Sequence, residues 1–273
     1  MILLPMVLGS ALAAPIAPAP AADQALTPLS ALAPALLQEA EEGPDGTWHG
    51  NVNVGLSKSE GNADVESYSL DARAVREFEQ NRYTLEALWL LSRDNERGAG
   101  ESAFLQRRAL GSVKYDQFLD EKLYALVTGL AETNFRAAVD LRWTLGAGLG
   151  YQFRDDDNWR INTEFGLSYF NEEFDNGDEF EYVSARFAWD VWTRISKNLV
   201  FGHFGEVFPS LDDKDDFYGR ATTYFESQLT ESMIARFSWL LTFDNTPAED
   251  PDNPPARLQR ADNVYLLTVG WTF

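Results

Sequence analysis

Residues 263–273 read Asn-Val-Tyr-Leu-Leu-Thr-Val-Gly-Trp-Thr-Phe, and this stretch decides the fold. Tyr265, Leu267, Val269, Trp271 and Phe273 alternate with Val264, Leu266, Thr268, Gly270 and Thr272. Successive side chains of a strand point to opposite faces, so the five large residues share one face, and small or moderately apolar residues occupy the other. A sheet in water gains little by placing its widest apolar stripe at a fraying chain end. A strand that faces lipid on one side and closes a barrel against the first strand has good reason to carry such a stripe.

The same period-two pattern extends backward almost to residue 48. Trp48, Val52, Val54 and Leu56 form one stripe; Tyr68, Leu70, Ala72 and Ala74 another; Tyr83, Leu85, Ala87, Trp89 and Leu91 a third. Leu141, Trp143, Leu145, Ala147, Leu149, Tyr151 and Phe153 alternate with Arg142, Thr144, three glycines and Gln152. Further stripes run through Trp159, Ile161, Phe165, Leu167 and Tyr169, through Val183, Ala185, Phe187, Trp189 and Val191, and through Met233, Ala235, Phe237, Trp239 and Leu241. Weaker alternation near residues 109–115, 123–131, 199–207 and 217–229 completes twelve expected strands. Short connections near 79–81, 119–121, 154–158, 196–198 and 230–231 alternate with longer polar ones near 58–64, 92–102, 132–140, 171–179, 210–216 and 244–262. Short turns at one end, long loops at the other and an even strand number predict an all-β, 12-stranded antiparallel transmembrane β-barrel of the outer-membrane type over residues 47–273. A soluble sandwich or lipocalin has no reason to keep all its long loops at one end.

Composition agrees. The 273 residues carry 43 acidic and 22 basic side chains, a formal net charge of −21, which argues against nucleic acid as a partner. There is no cysteine, hence no disulfide scaffold and no cysteine-based metal or redox centre. The 8 Trp, 10 Tyr and 18 Phe suffice for aromatic girdles at two membrane interfaces. Residues 1–14 read as an export signal, with an apolar core over 2–12 and small residues at Ala11, Ala13 and Ala14, although no Lys or Arg precedes the core. Residues 15–46 form an Ala/Pro-rich leader, expected to be periplasmic, with too little apolar surface to plug a barrel.

The ending resembles the C-terminal strand of bacterial outer-membrane barrels. That resemblance implies a partnership with the barrel assembly machinery through Trp271 and Phe273, besides contact with outer-membrane lipid and lipopolysaccharide. The match departs at Thr268, where such strands often carry Gly; here the glycine is Gly270. The whole stretch from Trp48 also resembles a bacterial family labelled salt-induced outer-membrane proteins, domain of unknown function 481. The residues that carry this are Trp48-His49-Gly50, Gly55-Leu56-Ser57 and Gly61-Asn62, then Leu141 through Tyr151, Pro209-Ser210-Leu211 and Gly270-Trp271-Thr272-Phe273. The family implies an outer-membrane barrel without a settled activity, and its label suggests osmotic adaptation. It supplies no catalytic residues.

Chemistry must therefore come from the lumen and loops. The alternation turns Arg73, Arg82, Arg108, Lys114, Arg142, Arg160, Arg186, Arg194, Arg220 and Arg236 inward, with Asp71, Glu86, Glu164, Asp190, Glu206 and Glu226 among them. Such a lumen is net positive. It fits either a narrow passive channel that favours small anions or an internal ion-pair network that fills the barrel. Two loops are acidic: Glu172, Glu173, Asp175 and Asp178 in one, Asp212, Asp213, Asp215 and Asp216 in the other. Their oxygens fit Ca2+ or Mg2+ bound at the cell surface, or plain solvation, and match no EF-hand spacing. Asp155, Asp156 and Asp157 fall in a short turn and are expected only to solvate it. No enzyme is expected, and neither a resident metal nor a cofactor. His49 and His203 are the only histidines; His49 falls at the periplasmic start of the first strand, far from the outer rim, and no Ser or Asn accompanies His203 at a suggestive spacing.

Overall fold

The structure, a computed structural model, describes residues 46–59, 64–95, 103–213, 215–250 and 255–273. The expected export signal, nearly all of the leader and the Gly61-Asn62 pair lie outside these residues. Twelve strands follow in order: β1 Trp48–Ser59, β2 Val65–Glu77, β3 Asn81–Asp94, β4 Phe104–Phe118, β5 Leu123–Asn134, β6 Val139–Asp155, β7 Trp159–Phe174, β8 Glu179–Ser196, β9 Leu199–Pro209, β10 Phe217–Gln228, β11 Met233–Asp244 and β12 Ala261–Thr272. Each pairs antiparallel with its chain neighbours, and β12 returns to β1, closing the barrel. Closure gives every strand a partner on both sides, the arrangement that lets strands cross hydrocarbon, although β1 and β12 pair only over Asn51–Val54 and Val269–Thr272.

Which face is outside is settled by exposure. Leu267 is 76 % exposed, whereas Arg142 is 1 % exposed. Val54, Leu70, Leu85, Val113, Val127, Leu145, Leu149, Leu167 and Val269 are exposed on the outside, and Arg82, Asp116, Glu132, Glu164, Arg186 and Glu206 are buried within. Aromatic rings lie toward both ends of the outer surface. Trp143 with Tyr169 and Trp239 with Tyr265 stand toward the long-loop end, and Tyr83 with Tyr115 toward the short turns. A surface so apolar, wrapped around a charged interior, inverts the logic of a soluble domain and is what lipid requires. The chain is a twelve-stranded transmembrane β-barrel of the outer-membrane type.

Two connections differ from expectation. The longer loops expected near 132–140 and 171–179 are four-residue turns, 135–138 and 175–178, as tight as those at the other end. Strands β6, β7 and β8 run on to 17, 16 and 18 residues and β5 reaches Asn134, so Glu132, Arg142 and Glu172 are all strand positions. Polar residues end a strand only if they prefer water, and here they find charged partners inside the barrel instead.

The short turns are held by their own side chains. The Asp120 carboxylate accepts N–H bonds from Lys122 (2.8 Å) and Leu123 (2.7 Å), and these hold its pKa below the ordinary value. Asp156 does the same for Asn158 and Trp159, both 2.9 Å, so it shapes its turn rather than merely solvating it. Thr230 accepts from Met233 N–H at 3.0 Å.

Within the barrel, space left by glycine is filled by tyrosine. A Cβ on Gly150 would lie 2.1 Å from the Tyr124 ring, and one on Gly202 would lie 2.1 Å from the Tyr224 ring. The rings can lie flat over these backbone positions only because no side chain is there. The glycine-rich run of β6 is therefore a seat for Tyr124.

Replacing Leu267, which faces outward at the middle of β12, with Arg is expected to cost about 2–4 kcal/mol in lipid, the penalty for a cation on the lipid face near the midplane. Urea unfolding in phospholipid vesicles measures this; a change within about 0.5 kcal/mol, typical of a solvated surface site, would refute the assignment of that face.

Candidate functional site: the charged lumen

The lumen is densest toward the long loops. Arg142 on β6 donates to Glu132 (2.7 Å) and Asp244 (2.8 Å) and pairs with Glu172. Its guanidinium stands 4.0 Å from the centre of the Tyr218 ring. Arg108 on β4 reaches the same Glu132 (2.8 Å) and the Thr242 hydroxyl (3.1 Å), and the Tyr218 hydroxyl donates to Glu132 at 2.9 Å. Phe170, Tyr182, Phe208 and Tyr218 pack as one buried aromatic cluster alongside. Since β6 and β11 are far apart around the barrel, the Arg142–Asp244 pair is a tie across the lumen. Above it, the β11–β12 connection folds inward: Ala248 and Leu258 pack against Ala137, Ala138, Val139 and Phe174.

Lower in the lumen, pairs run along the wall. Glu164 is shared by Lys114, Arg186 (2.8 Å) and the Tyr124 hydroxyl (3.0 Å), and Glu206 by Arg186 (2.8 Å) and Arg220 (2.5 Å). Arg82 holds Asp116 at 2.8 Å. Arg236 pairs with Glu226 and, at 3.4 Å, with Asp71, which also accepts from Asn53 at 2.6 Å. Two longer pairs span the interior: Arg73 to Asp190 on the opposite wall at 3.7 Å, and Arg220 to Glu86 at 3.9 Å.

These spanning pairs divide the remaining space. One cavity, about 60 Å³, lies toward the short turns among Arg82, Thr84, Lys114, Thr128, Asn162 and Glu164. The other, about 120 Å³, lies among Asp71, Leu88, Arg108, Leu110, Tyr224, Arg236, Leu240, Thr242 and Leu266. Arg73, Glu86, Phe204 and Arg220 border both and form the partition. Each cavity has room for a few waters.

All ten cations read from the alternation occupy inward register positions. Eight join this network; Arg160 stands near the short turns, paired with Asp155 at 3.1 Å, and Arg194 lies 5.8 Å from the Trp192 ring. The expected positive excess does not hold. Asp116, Glu132, Glu172 and Asp244 also face inward, which brings the acids level with the ten cations. Sequence reading missed them because the facing of β4 and β5 was weak and because Glu132, Glu172 and Asp244 sit where loops were expected. Their one legible signal was register: Asp116 lies two residues from Lys114, and Glu172 eight from Glu164.

The acidic loops are less unified than the sequence suggests. Glu172 is a buried partner of Arg142, and Glu173 lies exposed at the end of β7 opposite Glu179. Only Asp175 and Asp178 belong to the turn, where Asp178 accepts from Asn176 at 2.8 Å. In the β9–β10 loop, Ser210 Oγ accepts from the Asp212 and Asp213 N–H groups, both 3.2 Å. Asp213 accepts the N–H of Asp215 at 3.0 Å, and Asp216 accepts the Thr246 hydroxyl. Among the described residues, no group of three or more His, Asp or Glu is arranged to hold a metal ion. His203 stands on the outer face of β9 with Nδ1 2.8 Å from Thr223 Oγ1, and His49 lies 2.9 Å from Thr47 Oγ1 at the start of β1. His203 is thereby turned away from the lumen carboxylates.

A closed barrel with a lipid-facing exterior and a charged interior defines a membrane barrel of the porin-like class. The chain belongs to the family described as protein of unknown function, DUF481, whose family model matches residues 52–273. No curated protein matches it in sequence. Among solved structures it is similar to the NanC porin, at 10% identity over 82% of this chain and 100% of that one, with a TM-score of 0.48. It is similar also to the outer-membrane channel DcaP of Acinetobacter baumannii (9% identity, 83% and 96% covered, TM-score 0.37). A third is the toluene transporter TodX of Pseudomonas putida (10% identity, 84% and 90% covered, TM-score 0.38).

Glu132→Gln leaves two buried guanidiniums short of a charge and is expected to destabilise the barrel by about 3–5 kcal/mol, the usual cost of breaking a buried pair from one side. Denaturant unfolding followed by tryptophan fluorescence reads this out. A loss below about 1 kcal/mol would mean the cluster is solvated like a surface pair.

Proposed function

We propose that this protein is a bacterial outer-membrane barrel that acts as a narrow passive channel for small solutes with a preference for anions, shut in the state described above. The barrel keeps its short turns and both strand termini at one end, the arrangement of barrels whose termini are periplasmic. The observation that carries the reading is the partition. The two cavities lie in one lumen and, among the described residues, share the bordering side chains of Arg73, Glu86, Phe204 and Arg220. The pairs that span it, at 3.7 and 3.9 Å, are the longest in the lumen, whereas those between adjacent strands run from 2.5 to 2.8 Å for Arg186, Arg220 and Arg82 and to 3.3 Å for Arg73 with Glu86. Rotation of Arg73 and Arg220 toward their wall partners would join the cavities without disturbing the sheet. Anion preference would arise there, because these guanidiniums border both compartments.

The Arg142–Asp244 tie at 2.8 Å favours a second reading, a permanently closed structural barrel. Planar-bilayer recording of the refolded protein under a salt gradient separates the two. The channel reading expects discrete small steps with an anion-selective reversal potential. Glu86→Ala and Asp190→Ala, which free the spanning arginines, should raise unit conductance at least twofold and strengthen the anion preference. Correctly inserted barrels that stay silent in the parent and in both variants would establish the closed reading instead.

A further inference from the structure

The cavity of about 120 Å³ on the long-loop side of the partition has two unlike walls. Leu88 and Leu110, cross-strand partners on β3 and β4, line one side, and Leu240 and Leu266 from β11 and β12 line another. All four point into the lumen, and a water-filled pore gains nothing from such a wall. Facing them are the guanidiniums of Arg73, Arg108, Arg220 and Arg236, against only two lining carboxylates, Asp71 and Glu86. The acids that complete these arginines' pairing, Glu132, Glu206, Glu226 and Asp190, lie outside the cavity lining. The lining therefore presents more guanidinium donors than carboxylates, although each of these arginines is ion-paired. Arg108 also retains unused capacity: it is buried, and its Nε finds no acceptor among the described residues. A buried donor left unmet costs free energy that a ligand oxygen would recover.

We propose that this cavity is a binding site for small amphipathic carboxylates, with the carboxylate at Arg108 and Arg220 and a compact apolar body against the four leucines. Guanidinium forks match carboxylates in two-bond geometry, which selects this group over a neutral polar one. The volume limits the body to about one ring, since an apolar cavity of about 150 Å³ holds benzene. A simple inorganic anion would satisfy the arginines and leave the leucines wetted; a neutral hydrocarbon would do the reverse. The proposal deepens the channel reading and rests on it for how a ligand reaches the cavity, though binding itself requires no conduction.

The test uses the full-length refolded protein in detergent, with benzoate, benzamide and acetate as probes in isothermal titration calorimetry. The same probes are then added to the bilayer recording. Benzoate should bind saturably, and acetate and benzamide at least tenfold more weakly. Arg108→Gln should weaken benzoate at least tenfold. Because that variant also removes a partner of Glu132, Leu240→Trp serves as the second, filling the cavity while leaving every charge in place; it too should abolish benzoate binding while the barrel stays folded, as judged by its heat-modifiable gel mobility. Equal binding of benzoate and acetate, or benzoate binding unchanged in folded Leu240→Trp, overturns the site. Conduction with no effect of benzoate on binding or current overturns it while leaving the channel standing. A silent barrel that still binds benzoate through Arg108 and Leu240 supports the site and removes the channel reading.

Discussion

In hydrocarbon, every backbone N–H and C=O must find its partner within the protein, and the rest of this structure follows from that demand. A sheet meets it only by closing, and closing commits one face of each strand to lipid and the other to a confined interior. Leu267 and Arg236 thus end on opposite sides of neighbouring strands through pairing alone. Twelve strands enclose more volume than side chains of ordinary size can fill, yet less than an open porin. The surplus is taken up by long charged residues, by tyrosines laid over glycines and by two small cavities.

Filling a lumen with charge is costly unless the charges pair, because each ion loses most of its water. The arrangement meets that cost in two ways. Along the wall, Glu206 serves Arg186 and Arg220 on the strands either side of it and Glu164 serves Arg186 on the next strand, all at short distance, which holds neighbouring strands in register. Across the lumen, Arg73 and Arg220 reach much farther for Asp190 and Glu86, in partly hydrated surroundings where such contacts contribute little. Firm pairing on the wall and loose pairing across it leave the sheet rigid and the partition soft. Near the long loops this ordering reverses, since Arg142 is tied to three carboxylates and roofed by aromatic rings.

Most of the fold was legible because its governing pattern is local. Alternation at Tyr265–Phe273 or Leu141–Phe153 needs no knowledge of distant residues, and it placed all twelve strands and turned the ten cations inward. What it could not supply was length at the loop end. Glu132, Glu172 and Asp244 look like loop residues by composition, and only the tertiary presence of Arg108 and Arg142 makes them strand residues. Missing them made the lumen look positive. The cavity's two-sided character was equally hidden: Leu110 and Leu240 each read as an apolar residue on the wrong face, and they become a wall only when β4 and β11 are brought round to share one lumen.

The seam shows the same interplay. Strand β12 pairs with β11 over eleven residues but with β1 over only four, Asn51–Val54 against Val269–Thr272, closed by the reciprocal bonds between Gly50 and Phe273 at 2.9 and 3.0 Å. Beyond Val54 a cavity of about 450 Å³ opens beside the wall, lined by Gly55, Ser57, Ser69, Leu90, Val264 and Leu266. Backbone left unpaired against lipid is expensive, so the pairing that closes this barrel is concentrated at the short-turn end. Leu266 borders this seam cavity as well as the lumen cavity, so the weakly paired stretch of wall lies beside the leucine-lined part of the lumen. A polar lumen side chain at that place would sit against the least protected part of the sheet. Apolar residues there serve the wall as much as whatever the lumen holds.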